Sequence, residues 1–358
     1  MKNKVAIIGI VGIPAKYGGF ETLTEYLTKN LATNYDMTVY CSSKEYDRKL
    51  LEHNNAKLNY INLRANGIQS IPYDIVSIFK SLKNSDILLI LGVSGCIILP
   101  VIKRISKNKI IVNIDGLEWK REKWGKFARW FLKFSEKIAV KCADEIITDN
   151  KVITDYVKSE YGASSHLIAY GADHVTNESF DGELIEKHSF VRSDYTFKVC
   201  RIEPENNIHI ILDAFSELPD HNIVIVGNWN NSEYGKELKI KHEQFKNIHL
   251  LDPIYNQKTL NQLRSNCSVY IHGHSAGGTN PSLVEAMQLG LPVFTYGIQY
   301  NKETTKGKAA YFDNKEDLIS LLNNTDRKDL NLIGTNMNLI AKELYTWKYI
   351  SQAYGDLF

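Results

Sequence analysis

The end of a strand, a glycine-rich loop and the start of a helix follow one another in residues 272–287, which read His272-Gly273-His274-Ser275-Ala276-Gly277-Gly278-Thr279-Asn280-Pro281-Ser282-Leu283-Val284-Glu285-Ala286-Met287. The helix is predicted to begin at Pro281 with Asn280 as its N-cap, because proline fits the first helical turn and asparagine accepts hydrogen bonds from the N–H groups there. Backbone N–H groups at a helix N-terminus bind phosphate. Glu285 follows one turn later, where a carboxylate can accept hydrogen bonds from ribose hydroxyls. A nucleotide diphosphate is therefore the first ligand to consider.

Apolar strands alternate with helices in two series along the chain. Because 358 residues exceed one average domain, we expect two, and the weak pattern between Thr176 and Tyr195 marks their boundary. The predicted fold class is α/β, with Rossmann-like domains at residues 1–180 and 181–340 and a C-terminal helix at 341–358 packing back on the body. Ligands of such sheets bind beyond the carboxyl ends of the strands, so we expect the two domains to face each other across a cleft.

Continuous apolar runs mark the strands, as expected for parallel sheets buried on both faces. The predicted strands span residues 5–10, 37–41, 58–63, 87–91, 110–114, 145–148 and 166–168 in the first series, and 197–201, 223–226, 248–251, 268–271 and 292–295 in the second. The apolar run from Ile87 to Ile102 contains Gly92 and Pro100 and is shorter than the roughly 20 residues of a bilayer span. It predicts a strand, a turn and a helix.

Overall charge gives no reason to expect a nucleic-acid partner, because 43 Lys and Arg residues balance 41 Asp and Glu residues. The cysteines are odd in number and lack CxxC spacing, which favours free thiols of a reducing compartment over a zinc site. They are Cys41, Cys96, Cys142, Cys200 and Cys267. A strand is predicted within the first residues, so we expect no signal peptide and a cytoplasmic location.

A second glycine-rich loop follows the first strand and reads Gly9-Ile10-Val11-Gly12-Ile13-Pro14-Ala15-Lys16-Tyr17-Gly18-Gly19-Phe20-Glu21. Its glycine spacing is not that of a dinucleotide fingerprint, and no acidic residue ends the second strand, so an NAD site is not expected. Gly18 and Gly19 stand at a predicted helix start, where glycine lets a ligand approach the backbone closely. A tight turn without a ligand is the alternative.

Three segments together resemble retaining glycosyltransferases of family four, which have the GT-B fold. They are Gly12-Ile13-Pro14-Ala15-Lys16-Tyr17-Gly18-Gly19-Phe20-Glu21, Arg201-Ile202-Glu203-Pro204-Glu205-Asn206-Asn207 and the first part of the stretch quoted above, His272 to Ser282. More narrowly, they look like the bacterial rhamnosyltransferase branch, whose members build capsule, O-antigen and rhamnan cell-wall polysaccharides. The resemblance implies an acceptor-side first domain and a nucleotide-sugar-binding second domain.

The resemblance also implies a donor site. Arg201 would hold the donor pyrophosphate and stabilise charge on the leaving nucleotide, a task that suits a fixed, always-charged guanidinium. Glu285 matches the second Glu of the family's E-x7-E motif, which contacts ribose. The other donor-binding residues that we predict are Gly18, Gly19, Tyr170, Asn206, His274, Gly278, Thr279, Asn280 and Ser282.

Two residues depart from the family's pattern. Gly277 stands where the motif's first Glu touches the donor sugar in many members, and Asn206 stands where a Lys usually follows the Arg. The positive charge available to bind the phosphate is thereby halved, so the backbone N–H groups between Gly278 and Ser282 must contribute more. Both departures fit a donor other than UDP-glucose, such as a deoxysugar with fewer hydroxyls.

Two carboxylates, Asp115 and Glu118, follow an apolar strand of the first domain and are the candidates to orient or deprotonate the acceptor hydroxyl. In a retaining reaction the leaving phosphate can itself take the proton, and the carboxylates then only position the acceptor; Asp115 as a helix cap is the structural alternative. No Asp-x-Asp marks a metal–diphosphate site, and the GT-B resemblance implies metal-independent catalysis. His272 and His274 are expected in the donor pocket, with a metal-binding pair as the alternative.

A basic segment with aromatic residues spans Trp119 to Lys141, and its apolar side chains recur at helical spacing. This pattern is typical of a helix on an anionic membrane surface. The residues predicted to contact the membrane or a lipid-linked acceptor are Lys120, Arg121, Lys123, Lys126, Arg129, Trp130 and Lys133. The alternative is an ordinary helix whose apolar stripe faces the sheet; both hold if the aromatics serve the core and the lysines touch lipid.

The sequence thus predicts a cytoplasmic, peripheral enzyme at the inner face of the cell membrane. The resemblance implies transfer of L-rhamnose from dTDP-β-L-rhamnose to a sugar on an undecaprenyl-diphosphate carrier, without a metal cofactor. A transferase that uses a UDP-hexose is the alternative within the enzyme class. A non-catalytic subunit that binds a nucleotide sugar or membrane lipid is the alternative outside it.

Overall fold

The computed structural model describes residues 2–16, 18–114, 116–120 and 124–358. The chain divides into two compact units, one of Met1–Gly171 with Trp347–Phe358 and the other of Ala172–Thr346. The predicted divisions are after residues 180 and 340. Residues 172–180 belong to the second unit because the Ala172 N–H donates to the Tyr345 carbonyl (2.8 Å) and the Glu178 N–H donates to Ser265 Oγ (3.1 Å).

An eight-stranded sheet forms the centre of the first unit. Its strands are β1 (Lys4–Ile8), β2 (Asp36–Ser42), β3 (Glu52–His53), β4 (Ala56–Ile61), β5 (Ile87–Leu91), β6 (Lys109–Asn113), β7 (Glu145–Thr148) and β8 (His166–Leu167). Five helices lie between these strands along the chain: α1 (Gly19–Leu31), α2 (Ser70–Ser81), α3 (Leu99–Ile105), α4 (Lys126–Cys142) and α5 (Lys151–Tyr161). The strand order is β3-β4-β2-β1-β5-β6-β7-β8, parallel except for β3 with β4. The order reverses between β1 and β5, and ligands of such sheets bind at this switch point.

Strands β1 and β5 show why continuous apolar runs form this sheet. Every residue of β5 is buried, and so are Val5 to Ile8 of β1, as expected where helices cover both faces of a parallel sheet. The strand, turn and helix predicted between Ile87 and Ile102 are confirmed as β5, a 3-10 turn at Cys96–Ile98 and α3. Within the described residues, no helix combines the length and apolar character needed to cross a membrane.

A six-stranded, fully parallel sheet forms the centre of the second unit. Its strands are β9 (Tyr195–Val199), β10 (Asn222–Val226), β11 (Ile248–Leu251), β12 (Val269–His272), β13 (Val293–Tyr296) and β14 (Ala310–Phe312), and its helices are α6 (Gly182–Lys187), α7 (Ile208–Ser216), α8 (Glu233–His242), α9 (Gln257–Ser265), α10 (Pro281–Gln288), α11 (Gln299–Thr304), α12 (Lys315–Asn324) and α13 (Arg327–Leu344). The order β11-β10-β9-β12-β13-β14 reverses between β9 and β12. Each unit is therefore a Rossmann-like α/β domain, as predicted.

A hydrophobic core of the second unit lies on one face of its sheet, against α7, α8 and α12. Phe215, Trp229 and Ile271 are fully buried in it. The Trp229 indole N–H donates to the Leu251 carbonyl (3.0 Å), so its polar atom keeps a partner inside the core. Burying one such apolar side chain stabilises the fold by about 1.5–3 kcal/mol. This core includes Val269 and Ile271 of β12, and the loop and helix after β12 carry most of the predicted donor residues.

The last helix, α14 (Trp347–Gly355), belongs to the first unit. The Trp347 ring stacks on Tyr26 of α1, with 4.4 Å between ring centroids. Asn113, at the end of β6, donates through Nδ2 to the Tyr354 hydroxyl (2.8 Å). The C-terminal helix thus spans Trp347–Gly355 within the predicted range 341–358, whose first residues belong to α13, and its aromatic residues tie it to α1 and β6.

Candidate functional site

The switch point of the second unit brings together two loops that the sequence singles out. One loop follows β9 and contains Arg201 and Asn206; the other follows β12 and contains His274. Because β9 and β12 are neighbouring parallel strands, both loops leave the same edge of the sheet. Ligands of doubly wound sheets bind at this position.

Side-chain and backbone hydrogen bonds join the two loops. Asn206 Nδ2 donates to the Arg201 carbonyl (2.9 Å), and Asn206 Oδ1 lies 3.2 Å from Nδ1 of His274. The Ser275 N–H donates to the Glu205 carbonyl (2.8 Å). The prediction that position 206 contacts the donor stays a prediction, but the Asn206 amide is already engaged by protein groups on both sides.

The predicted helix start after the second loop is confirmed. Pro281 occupies the first turn of α10, and Asn280 is its N-cap, accepting hydrogen bonds from the Ser282 N–H (3.0 Å) and the Ser282 hydroxyl (2.8 Å). Gly277 has φ of +90°, a conformation that L side chains rarely adopt. The predicted contact residues Gly278 and Thr279 lie between this glycine and the cap. The loop therefore leads into a capped helix N-terminus, a type of site that can bind phosphate.

Arg201 presents its guanidinium at the same edge. Its side chain is 41% exposed, and among the described residues its one ionic neighbour is Glu203, with Nε 3.7 Å from Oε2. A planar guanidinium with exposed N–H groups can bind a diphosphate through two parallel hydrogen bonds. The position and exposure of Arg201 fit the predicted phosphate role.

The Glu285 carboxylate is held by two basic side chains that no pattern in the sequence predicts as its partners. Its Oε2 lies 2.7 Å from Nη2 of Arg264, in the last turn of α9, and its Oε1 lies 3.2 Å from Nε2 of His174. Burial raises the pKa of Glu285, but Arg264 and His174 outweigh burial and hold it below its ordinary value. Glu285 is therefore ionised and internally paired, and the predicted ribose contact would need the lone pairs that these partners leave.

Two further basic residues lie buried near the switch point. Burial lowers the pKa of the Lys198 ammonium in β9. Burial, together with Lys198 and His274, holds the pKa of His272 well below its ordinary value, so His272 is neutral near pH 7. In the sequence, Lys198 could have been recognised as a charged residue within the otherwise uncharged run Tyr195–Val199. Across the described residues, no group of three or more His, Cys, Asp and Glu side chains has the arrangement of a metal site.

In the first unit, two carboxylates of α1 hold the glycine-rich loop after β1. Glu21 Oε1 accepts from the Val11 N–H (2.8 Å), and Glu25 Oε2 accepts from the Ala15 N–H (3.0 Å). Gly18 has φ of +122°, and a Cβ there would lie 1.9 Å from Glu21 Oε2. Gly19 is the first residue of α1. The contact with Glu21 thus accounts for glycine at position 18 without a ligand, which agrees with the tight-turn alternative.

The predicted acceptor-side residues are only partly described. Asp115, Arg121 and Lys123 lie outside the described residues. Glu118 stands in a 3-10 turn at Glu118–Lys120, where its Oε1 accepts from the Trp124 indole N–H (3.0 Å). The next residue, Trp119, donates through Nε1 to Glu136 Oε2 of α4 (3.1 Å), which ties the turn to α4.

Tyr170 is buried at the end of the first unit, before Gly171. A Cβ on Gly171 would lie 2.4 Å from the Trp347 ring, so glycine is needed where the chain passes α14. Tyr170, Gly18 and Gly19 therefore belong to the first unit, whereas the other predicted donor residues belong to the second.

Helix α4 exposes an aromatic stripe. Phe127, Trp130 and Phe134 are 78%, 61% and 41% exposed. Their rings form a row, with centroid distances of 5.9 and 5.7 Å between successive rings. The helix buries another face, formed by Leu132, Ser135, Glu136, Ala139 and Val140. The alternative, in which the apolar stripe faces the sheet, does not hold for these three rings, because this other face is the buried one.

The basic residues of this segment differ in their surroundings. Lys126 is exposed. Lys133 pairs with Glu160 (2.9 Å) and lies 4.3 Å from the centre of the Trp119 ring, and Lys120 lies 5.4 Å from the same ring. Arg129 is half-buried. Of the predicted membrane contacts that the structure describes, Lys120, Lys126 and Trp130 are exposed, whereas Arg129 and Lys133 are half-buried.

Comparison with known families assigns part of the chain. Residues 181–326 match the family described as glycosyl transferases group 1. Residues 2–173 match the family described as a domain of unknown function, DUF1972. The chain therefore carries a glycosyltransferase group 1 domain, and this domain contains Arg201, the loop after β12 and Glu285.

Solved structures show the same fold over the full chain. Sucrose-phosphate synthase from Thermosynechococcus elongatus aligns with a TM-score of 0.81 at 13% identity, over 99% of this chain and 98% of that one. HepE from Anabaena, in complex with UDP-glucose, gives 0.77 at 14% identity over 99% and 98%. The α,α-trehalose 6-phosphate synthase from Burkholderia multivorans gives 0.74 at 9% identity over 99% and 96%. The predicted GT-B fold, with two Rossmann-like domains, is thereby confirmed.

Proposed function

We propose that this protein is a retaining glycosyltransferase that transfers L-rhamnose from dTDP-β-L-rhamnose to a sugar on an undecaprenyl-diphosphate carrier, in the synthesis of a bacterial surface polysaccharide. The observation that carries the transferase part is the position of Arg201. It lies at the switch point of a glycosyltransferase group 1 domain, at the same sheet edge as the N-terminus of α10. A guanidinium and a helix N-terminus together form a site for the diphosphate of a nucleotide sugar.

The chemistry follows from where charge develops. As the bond between the sugar and the diphosphate breaks, negative charge grows on the leaving phosphate, and Arg201 stabilises that charge. The leaving phosphate can take the proton of the attacking hydroxyl, and Glu118 and Asp115 then orient the acceptor. Arg201 and α10 supply the positive potential on the diphosphate, so the proposal needs no metal ion.

The rhamnose part rests on the resemblance of three sequence segments and on two departures. Gly277 removes a carboxylate that would contact sugar hydroxyls, and Asn206 removes a cation. Fewer contacts suit a deoxysugar. HepE is described in complex with UDP-glucose, which keeps a UDP-hexose as the alternative donor, and a non-catalytic nucleotide-sugar-binding subunit is the alternative outside the enzyme class.

A donor panel separates these alternatives. The purified protein is incubated with a lipid-diphosphate-linked GlcNAc or Glc acceptor and, in turn, dTDP-rhamnose, UDP-glucose, UDP-galactose and UDP-GlcNAc, with EDTA present. We expect acceptor-dependent release of dTDP and little release of UDP. Release of UDP alone would replace the rhamnose assignment by a UDP-hexose, and activity that appears only without EDTA would overturn metal independence.

We also propose that α4 binds an anionic membrane. Phe127, Trp130 and Phe134 form the exposed stripe, and Lys126, Lys137 and Lys141 are exposed on the same helix. The neighbouring helix α3 packs against α4 and exposes Val101 and Ile105. Aromatic rings insert at the headgroup level of a bilayer, and each lysine near an anionic surface adds about 1 kcal/mol. An enzyme bound to the membrane would encounter a lipid-linked acceptor by diffusion within the plane of the membrane.

Vesicle sedimentation tests this surface. The triple variant F127S/W130S/F134S is expected to lose most binding to phosphatidylglycerol vesicles, and high salt should weaken wild-type binding because it screens the lysines. The matched control, L332S/L339S, replaces exposed leucines of α13 and should bind as the wild type does. A triple variant that sediments like the wild type would refute the role of α4.

A further inference from the structure

Asn206 occupies the position of the family's second cation, and the structure gives its side chain two protein partners. The residue is only 4% exposed. Its Nδ2 donates to the Arg201 carbonyl at 2.9 Å, and its Oδ1 lies 3.2 Å from Nδ1 of His274. One amide therefore touches both loops of the switch point.

These two contacts fix the direction of each hydrogen bond. The Arg201 carbonyl can only accept, so the NH2 group of Asn206 must face it, and Oδ1 faces His274. Oδ1 can also only accept, so Nδ1 of His274 must carry the hydrogen. The Asn206 amide thereby orients the His274 ring.

The loops are too closely packed to adapt to a different side chain at position 206. A Cβ on Gly273 would lie 2.3 Å from the Asn206 carbonyl oxygen. Asn207 Nδ2 donates to the Gly273 carbonyl (2.9 Å), and the buried Asn301 donates through Nδ2 to the His274 carbonyl (2.8 Å). The backbones on both sides of the Asn206 amide are thus held by other contacts, and a longer side chain would have to leave this space.

We propose that Asn206 is a positioning residue of the donor site: it holds the backbone of Arg201 and orients the His274 ring by accepting a hydrogen bond from its Nδ1. This inference rests on the proposed function. The chain exchanges a second cation for hydrogen bonds that fix both loops of the switch point.

Two substitutions distinguish this role from a weakened phosphate contact. Asn206→Leu removes both hydrogen bonds at similar volume, and Asn206→Lys restores the family's charge but also removes both. If Asn206 positions Arg201 and His274, both variants should bind dTDP and UDP about tenfold more weakly, the effect expected from losing buried hydrogen-bond partners. If position 206 merely lacks a cation, Asn206→Lys should bind more tightly than the wild type, and that result would overturn the proposal.

A matched control and a spectroscopic readout complete the test. Asn222→Leu removes an amide that donates to the Asp194 carbonyl at the start of β10, the opposite end of the sheet, and should leave nucleotide binding unchanged. In 15N-histidine spectra, the His274 signal, assigned with His274→Gln, should have the Nδ1–H pattern in the wild type and lose it in Asn206→Leu. An Nε2–H pattern in the wild type would overturn the inference. Failure of the wild type to bind dTDP or UDP would instead reject the proposed function, and it would not affect the position of the hydrogen on His274 that the spectra report.

Discussion

Replacing Arg201 by alanine is expected to lower kcat for sugar transfer at least about a hundredfold with the fold intact, because one group that stabilises transition-state charge commonly contributes that much. The Arg201 side chain is 41% exposed, and within the described part of the chain its one ionic neighbour is Glu203, 3.7 Å away. Removing this partly exposed cation costs one weak ion pair and should therefore change stability little. Initial rates at saturating donor, together with the thermal unfolding midpoint, measure both expectations.

Two companion variants sharpen this prediction. Arg192→Ala removes an exposed arginine from a 3-10 turn of the same unit and should keep normal turnover. Arg201→Lys keeps the charge but loses the planar pair of donors, so its rate should fall between those of wild type and Arg201→Ala. Turnover of Arg201→Ala close to that of Arg192→Ala would reject the phosphate role.

Replacing Glu285 by alanine is expected to destabilise the second unit by about 3–5 kcal/mol, the usual effect of breaking a buried ion pair from one side. The Arg264 side chain is 2% exposed, and no described residue is a hydrogen-bond partner of its Nε or Nη1. Without Glu285 this guanidinium would be buried and unpaired. Urea unfolding measures the loss, and hydrogen exchange of residues 257–288 shows whether it lies in α9 and α10.

The double variant R264M/E285M separates stability from ligand binding. Replacing both partners of a buried pair by apolar residues is often neutral for stability. If the double variant recovers stability but binds dTDP and UDP weakly, Glu285 also contacts the ribose, as the resemblance implies. A loss of less than about 1 kcal/mol in Glu285→Ala, far below the usual cost of a broken buried pair, would show that the pair contributes little to the fold.

Local signals in the sequence predict much of this fold. The run Ile87–Leu91 is apolar at every position, as in a strand buried on both faces, and it forms β5 over the predicted residues. Asn280 and Pro281 specify the start of α10 through capping and a fixed backbone angle, both properties of neighbouring residues. The strands β3 and β14, of two and three residues, escape prediction, whereas the two-residue strand β8 lies within the predicted run 166–168.

The unpredicted parts of the site depend on contacts between distant segments. Arg264 and His174 reach Glu285 from α9 and from the segment that begins the second unit, and no spacing rule relates these positions. Helical periodicity places Phe127 and Trp130 on one face of α4 but cannot tell whether that face is buried; the tertiary fold exposes it. Asn206 is visible in the sequence as a departure from a motif, whereas its two partners require coordinates.

The most direct test of the proposed function is the mass of the product formed by the wild-type protein from dTDP-rhamnose and a lipid-diphosphate-linked GlcNAc or Glc acceptor, with Arg201→Ala in parallel. We predict an acceptor heavier by one deoxyhexose, formed with EDTA present and absent from the Arg201→Ala reaction. An acceptor left unchanged by a wild-type protein that binds dTDP would contradict catalysis and favour a binding subunit. A product made equally well by Arg201→Ala would contradict the placement of the donor diphosphate.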